Sequence, residues 1–128
     1  RDWQKASQTM IMGKGFDTHA VFGPAIVTLD EAGDVSEREI RTFVNGELRQ
    51  TGKPLQMIHD IAAQIEHLTA AFTLEPGDVI YTGTPAGVGA GFDPPKWLKA
   101  GDTVRIEIDG LGHVENKVVD EPATARIG

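Results

Sequence analysis

The sequence predicts a mostly β fold with a minor α component, a sandwich or roll carrying one principal helix. Three observations lead there. Fifteen of the 128 residues are glycine, and many of them separate short apolar runs, as turns between strands do. Asn45-Gly46 stands between two extended runs, which is the strongest short hairpin signal a sequence offers. Only one segment, from Pro54 onward, shows a helical period.

The elements follow in order. After an opening rich in Met and Gly, the run Ala25-Ile26-Val27-Thr28-Leu29 is expected to form a buried strand, closed by the turn formers of Asp30 to Asp34. Ile40 to Val44 and Glu47 to Gln50 are the two arms of the hairpin. Met57, Ile61, Ile65, Leu68 and Phe72 then recur every three or four residues, placing one apolar stripe on a helix that Pro76-Gly77 should end. The remainder is strand and turn. Leu74-Glu75-Pro76-Gly77-Asp78-Val79-Ile80 and Leu98-Lys99-Ala100-Gly101-Asp102-Thr103-Val104 share the form L-x-x-G-D-x-[IV], each a Gly-Asp turn expected to feed an apolar strand. Val104 to Ile108 should pair with Val114 to Val119 across the turn at Gly110 and Gly112.

Length and composition bound the function. A chain of 128 residues fits one domain and can bury a core. No stretch approaches the apolar length of a membrane span, so no membrane partner is expected. The net charge of −7 argues against nucleic acid, which demands clustered Lys and Arg. The absence of cysteine excludes disulfides, thiolate zinc sites and a cysteine nucleophile, and it fits a cytoplasmic setting. A chain that opens on Arg1-Asp2-Trp3-Gln4, charged and aromatic, is expected to be part of a longer one.

The stretch LEPGDVIYTGTPAGVG, Leu74 to Gly89, carries the strongest chemical signal. Thr82 and Thr84 supply hydroxyls, and Gly83, Gly87 and Gly89 leave backbone N–H groups unobstructed, which together suit a small anion. A phosphate-binding P-loop would need Lys and a hydroxyl residue directly after its last glycine, whereas Gly89 is followed by Ala90, Gly91 and Phe92. A dinucleotide fingerprint must open a helix, and Asp93-Pro94-Pro95 opposes one. Serine occurs only at Ser7 and Ser36, neither in a G-x-S-x-G elbow. His59 and His67 lie eight apart, not at the spacing of a shared metal, and His113, in a glycine turn, has no partner acid. Glu31, Asp34, Glu37 and Glu39 are read as a solvated turn and strand edge. Lys14 differs, because Gly13 and Gly15 leave its main chain free to approach a ligand. Arg1, Gln4, Lys14, Thr18, Thr82 and Thr84 would together supply two cations, an amide and three hydroxyls, a set suited to a carboxylate or a 2-oxo acid.

RDWQ, KGFDTHAVFGPAIVT, VNGELRQ, MIHDI, the Leu74 to Gly89 run and PPKWLKAGDTVRIEIDGLGHVENKV occur in this order along essentially the whole chain. In these segments the sequence resembles the C-terminal part of the fumarylacetoacetate hydrolase family. The resemblance implies that residues 1–128 are the C-terminal portion of a single catalytic domain of mixed β-roll type, that the protein forms a homodimer, and that Mg2+ or Mn2+ is the cofactor. It implies cleavage of a carbon–carbon bond in an acylpyruvate or other β-diketo acid, or, in sister enzymes, decarboxylation of an oxaloacetate-type acid or isomerisation of a 2-hydroxymuconate-type one. By resemblance Lys14 is the active-site lysine, Arg1 and Gln4 lie beside metal and substrate, Thr18 is a hydroxyl near the metal shell, and Thr84 contacts the substrate carboxylate. The family's carboxylate ligands, a Glu-x-Glu pair and an Asp, precede its RDWQ segment and have no counterpart here. This chain alone is therefore expected to be inactive, and a non-catalytic β module is the alternative from a different functional class.

Overall fold

The computed structural model describes residues 2–6, 8 and 11–121. Its centre is a four-stranded antiparallel sheet of β1 (Ile40–Val44), β2 (Glu47–Gly52), β3 (Thr103–Ile108) and β4 (Gly112–Lys117), in the order β2-β1-β3-β4. Three short α-helices accompany it: α1 (Asp2–Lys5), α2 (Leu29–Ala32) and α3 (Ile61–Thr69), the last being the principal one.

The hairpin forms as its sequence predicts. Val44 pairs with Glu47, and Asn45 and Gly46 take φ of 52° and 81°, the two positive values that a primed turn needs. Asn45 also holds the turn to β3: its Nδ2 donates to Asp102 Oδ1 at 2.9 Å, and its Oδ1 accepts from the Thr103 N–H at 2.9 Å. The bond from Asn45 is the main reason the Asp102 carboxyl titrates below its ordinary range, with the Lys99 N–H next. Asn45→Ala removes both bonds and the residue type best suited to the left-handed region. It should lower folding stability by roughly 1–2 kcal/mol, read as a lower denaturant midpoint with an unchanged slope; an unchanged midpoint would refute this account.

The two L-x-x-G-D turns are built alike. Glu75 N–H donates to Asp78 Oδ2 at 2.8 Å and Asp78 N–H to Glu75 O at 3.0 Å. Lys99 N–H donates to Asp102 Oδ2 at 2.8 Å and Asp102 N–H to Lys99 O at 3.0 Å, with Gly77 and Gly101 at φ of 106° and 93°. Only the second turn enters the sheet. Its Gly101 N–H donates to Val118 O and its Asp102 O accepts from Val118 N–H, both at 2.8 Å. The expected strand at Val79-Ile80 does not form, because no described segment offers that run a comparable pairing.

Two other expectations are corrected. Ala25 to Thr28 pair with no strand among the described residues, and Leu29 opens α2 instead. Thr28 followed by Leu29, Asp30 and Glu31 is a helix-start pattern, with both acids in the first turn where the helix dipole favours them. The long helical run is also divided. Pro54–Gln56 forms a separate 3-10 turn, Asp60 caps α3 by accepting from the Ala63 N–H at 2.8 Å, and the helix stops at Thr69, well before Pro76. There Thr69 Oγ1 bonds back to the carbonyls of Ile65 and Glu66, and the Ala71 and Phe72 N–H groups both turn to Leu68 O.

Burial is sparse. Among the described residues Val44 and Ala32 are the buried apolar ones, at 8% and 7% exposure, and the α3 stripe stays open, with Ile65 at 40%. Ile26 and Ile58 are 83% and 94% exposed.

Candidate functional site

The sequence-predicted residues fall into two clusters, and Arg1 lies outside the described residues. The first cluster holds Gln4, Lys14 and Thr18. Gln4 on α1 donates from Nε2 to Gly13 O at 3.0 Å, fastening α1 to the 3-10 turn Met12–Lys14. A Cβ on Gly13 would lie 2.3 Å from Gln4 Cγ. Gly13 is thus required by the approach of Gln4, whereas the sequence suggested that it freed the main chain for a ligand. Trp3 packs edge-on to Phe16 at 5.8 Å, and Phe16 stacks at a tilt on His19 at 5.4 Å, so the same unit carries the 16–19 turn. Within that turn Thr18 has φ of 64°, a rare conformation for a β-branched residue. Lys14 and Thr18 are exposed.

The second cluster is the loop from Thr82 to Gly91 seated on β2. Gln50 donates from Nε2 to Thr84 Oγ1 at 2.7 Å and to Pro85 O at 2.8 Å. Gly52 faces Pro85, where a Cβ would sit 2.9 Å from the Pro85 Cβ, and a Cβ on Gly87 would lie 2.0 Å from Arg49 O. Farther along, Lys96 pairs with Glu47 at 2.6 Å, and Lys96 and Arg49 approach the Phe92 ring at 4.7 and 5.4 Å. The Lys96 bond holds the Glu47 carboxyl below its ordinary range. Among the described residues the backbone N–H groups of Gly83, Thr84, Ala86 and Gly87 have no acceptor, so they remain available to an anion. Gln64 on α3 reaches the loop start, with Nε2 at 3.4 Å from Thr82 O and at 2.8 Å from His59 O.

Gln50 was missed by sequence reasoning, although it ends the VNGELRQ segment, and the reason is a β-bulge. Thr42 pairs with Gln50 but Phe43 with Leu48, leaving Arg49 as an extra residue in β2. Without it Gln50 would stand opposite Arg41. The bulge moves Gln50 to the face of Ile40, Thr42 and Val44, where it meets the loop.

The opposite face of the sheet is a charged ladder. Arg41 contacts Glu39 at 2.6 Å, Asp109 at 2.7 Å and Glu107 at 3.6 Å, while Arg105 contacts Glu107 at 2.6 Å and Glu115 at 3.5 Å. The bond from Arg41, then that from Thr51, lowers the Glu39 titration range, and Arg105 does the same for Glu107. These carboxylates are occupied by guanidinium groups. Among the described residues no group of three His, Cys, Asp or Glu side chains could hold a metal, so the residues present do not by themselves fit a divalent ion.

Thr84 is exposed on its loop, and no hydrogen bond joins it to Lys14 or Thr18 among the described residues. A depression of about 250 Å3 lies over Phe43, Thr103 and Arg105 on the charged face, and a wider one of about 630 Å3 lies between α3 and the Thr73 to Tyr81 segment. Neither is lined by Thr84 or Lys14. No described helix is long and apolar enough to cross a membrane.

Comparison with known proteins places this arrangement. Oxaloacetate tautomerase YisK of Bacillus subtilis is 44% identical to it over 118 residues, which cover 92% of this chain and 39% of the relative. A fumarylacetoacetate hydrolase from Exiguobacterium antarcticum superposes with a TM-score of 0.88 at 45% identity, over 94% of this chain and 43% of that one. Maleylpyruvate hydrolase of Sphingobium sp. SYK-6, solved with manganese(II) and pyruvate, superposes with a TM-score of 0.72 at 38% identity, over 81% of this chain and 37% of that one. The chain thus spans about two fifths of the length of these relatives. The family model for the C-terminal region of fumarylacetoacetate hydrolase matches residues 1–119, and the chain belongs to that family.

Proposed function

We propose that this chain is the carboxylate-holding part of an enzyme acting on enolisable 2-oxo dicarboxylic acids, and that the reaction moves a proton between carbon and oxygen, as in oxaloacetate tautomerisation. The observation that carries the reading is the Thr84 loop, whose hydroxyl and free N–H groups sit on a β-strand platform. The likeness to an oxaloacetate tautomerase supports the reaction class. Carbon–carbon hydrolysis of a β-diketo acid is the second reading, favoured by the maleylpyruvate hydrolase structure.

In this reading Thr84 O–H and the neighbouring N–H groups bind the carboxylate remote from the reacting carbon and fix the acid's orientation. Negative charge grows on the 2-oxo oxygen as the C–H bond breaks and its proton passes to water, and the enolate oxygen takes a proton back from water to complete the exchange. The Lys14 ammonium stabilises that charge, an effect that is largest where water is excluded. Gln4 and Thr18 line the same end of the substrate. A divalent ion would supply Lewis acidity at the 2-oxo group, and the described residues do not by themselves provide its ligands. A homodimer belongs to the same proposal, with the open apolar stripe of α3 as a face for contact.

The test is to follow ketonisation of enol-oxaloacetate by the natural full-length protein, with acylpyruvate cleavage as the parallel assay. Faster ketonisation supports the first reading; cleavage without it favours the second, and neither activity defeats both. Thr84→Val, which keeps the shape but removes the hydroxyl, should raise KM for the dicarboxylate about tenfold or more, the worth of one hydrogen bond to a charged group. Its kcat should change little.

A further inference from the structure

We propose that Gln50 is a positioning residue that sets which way the Thr84 hydroxyl donates, and so makes the loop selective for an anionic oxygen. This rests on the reading of Thr84 as the carboxylate contact.

Pro85 has no N–H, and its carbonyl can only accept, so the Gln50 amide must present its NH2 group to the loop. The reverse orientation would set two carbonyl oxygens against each other at hydrogen-bond distance. One hydrogen of that NH2 goes to Pro85 O at 2.8 Å and the other to Thr84 Oγ1 at 2.7 Å. The Thr84 oxygen is then an acceptor toward the strand. A hydroxyl owns one hydrogen, and with an acceptor role already imposed on the inner side, that hydrogen is left for a group on the outer side. The hydrogen held outward favours an accepting group such as a carboxylate, beside the single lone pair that Thr84 Oγ1 keeps.

The platform is rigid enough to sustain this preference. Gln50 is half-buried on a strand paired to β1, and Gly52 and Gly87 bring Pro85 and the Arg49 carbonyl into close approach on either side of it. The hydroxyl thus meets its ligand already oriented, without a rotamer search at the moment of binding.

The test uses the natural full-length protein with Gln50→Glu, Gln50→Met and Thr84→Val, alone and combined. It reads kcat and KM for oxaloacetate and the affinity for malonate as an inert diacid. Gln50→Glu turns the inner partner into an acceptor, so the Thr84 hydrogen is drawn inward. KM and the malonate Kd should rise roughly tenfold to a hundredfold, with kcat nearly unchanged. The loss should shrink at acid pH, where the new carboxyl regains a hydrogen to donate. Gln50→Met, uncharged and of similar size, should cause a smaller loss independent of pH, and it serves as the test should the Glu variant not fold. In a Thr84→Val background Gln50→Met should weaken binding no further, and Gln50→Glu should weaken it only by the repulsion between its new charge and the diacid. Losses that persist undiminished in that background would overturn the proposal, leaving Gln50 as a tether for Pro85 only. If Thr84→Val by itself leaves KM and the malonate Kd unchanged, the carboxylate reading fails first and the proposal with it. A loss in Thr84→Val but none in either Gln50 variant removes Gln50 alone.

Discussion

Gly87→Ala should disable the loop more thoroughly than loss of any single hydroxyl. Two independent terms oppose a side chain there. The backbone sits at φ of 103°, a region that L residues rarely adopt, and the new Cβ would stand 2.0 Å from the Arg49 carbonyl oxygen, which belongs to the β2 bulge and cannot swing aside. Strain and overpacking of this kind sum to roughly 2–5 kcal/mol. The protein should respond by lifting the loop off β2, because that breaks only the Gln50 bonds and the Pro85 contact, whereas moving the bulge would disturb the β1–β2 pairing. The expected result is a protein that keeps its sheet but loses dicarboxylate binding beyond the Thr84→Val effect. Amide hydrogen exchange should show new exposure confined to the Thr84 to Gly91 region. Unaltered binding and exchange would mean that the contact between Gly87 and the bulge is not part of the working site.

Lys14→Ala should cut kcat/KM at least tenfold, about 1.4 kcal/mol of transition-state stabilisation. The effect should fall mainly on kcat, since the charge that Lys14 meets is greatest when the enolate has formed. Lys14→Arg is the informative companion. It keeps the cation but spreads it over a larger planar group, so partial activity would point to charge and none to the compact ammonium. The first cluster should be undisturbed in both variants, because Gln4 is held by the Gly13 carbonyl and not by the Lys14 side chain. Full kinetics with the alanine variant would take Lys14 out of the mechanism.

These two predictions differ in where their information lies. Lys14 and Thr84 are both candidates that the sequence nominates, each because a reactive side chain stands among glycines in a segment resembling a family motif. Gly87 could be read there as leaving a backbone N–H open to an anion, whereas its need to be glycine arises from a positive φ and from a carbonyl thirty-eight residues upstream. Gly13 shows the same limit from the other side. Its lack of a side chain suggested access for a ligand, and the packing of Gln4 is what uses the space.

The local chemistry of the chain determined the Asn45-Gly46 hairpin, the twin Gly-Asp turns, the β3–β4 pair and a principal helix, because each depends on residues within a few positions of one another. Ala25 to Leu29 and Val79-Ile80 were apolar enough for strands, yet a strand exists only where a partner satisfies its backbone, and propensity cannot supply one. Tertiary structure alone decided the face on which Gln50 lies. One extra residue at Arg49 shifts the alternation of β2 by a single step, and that step takes Gln50 from the charged ladder to the Thr84 loop. A side-chain period of two leaves no intermediate outcome. The hydroxyl's partner was therefore set by a pairing register that no reading of VNGELRQ contains.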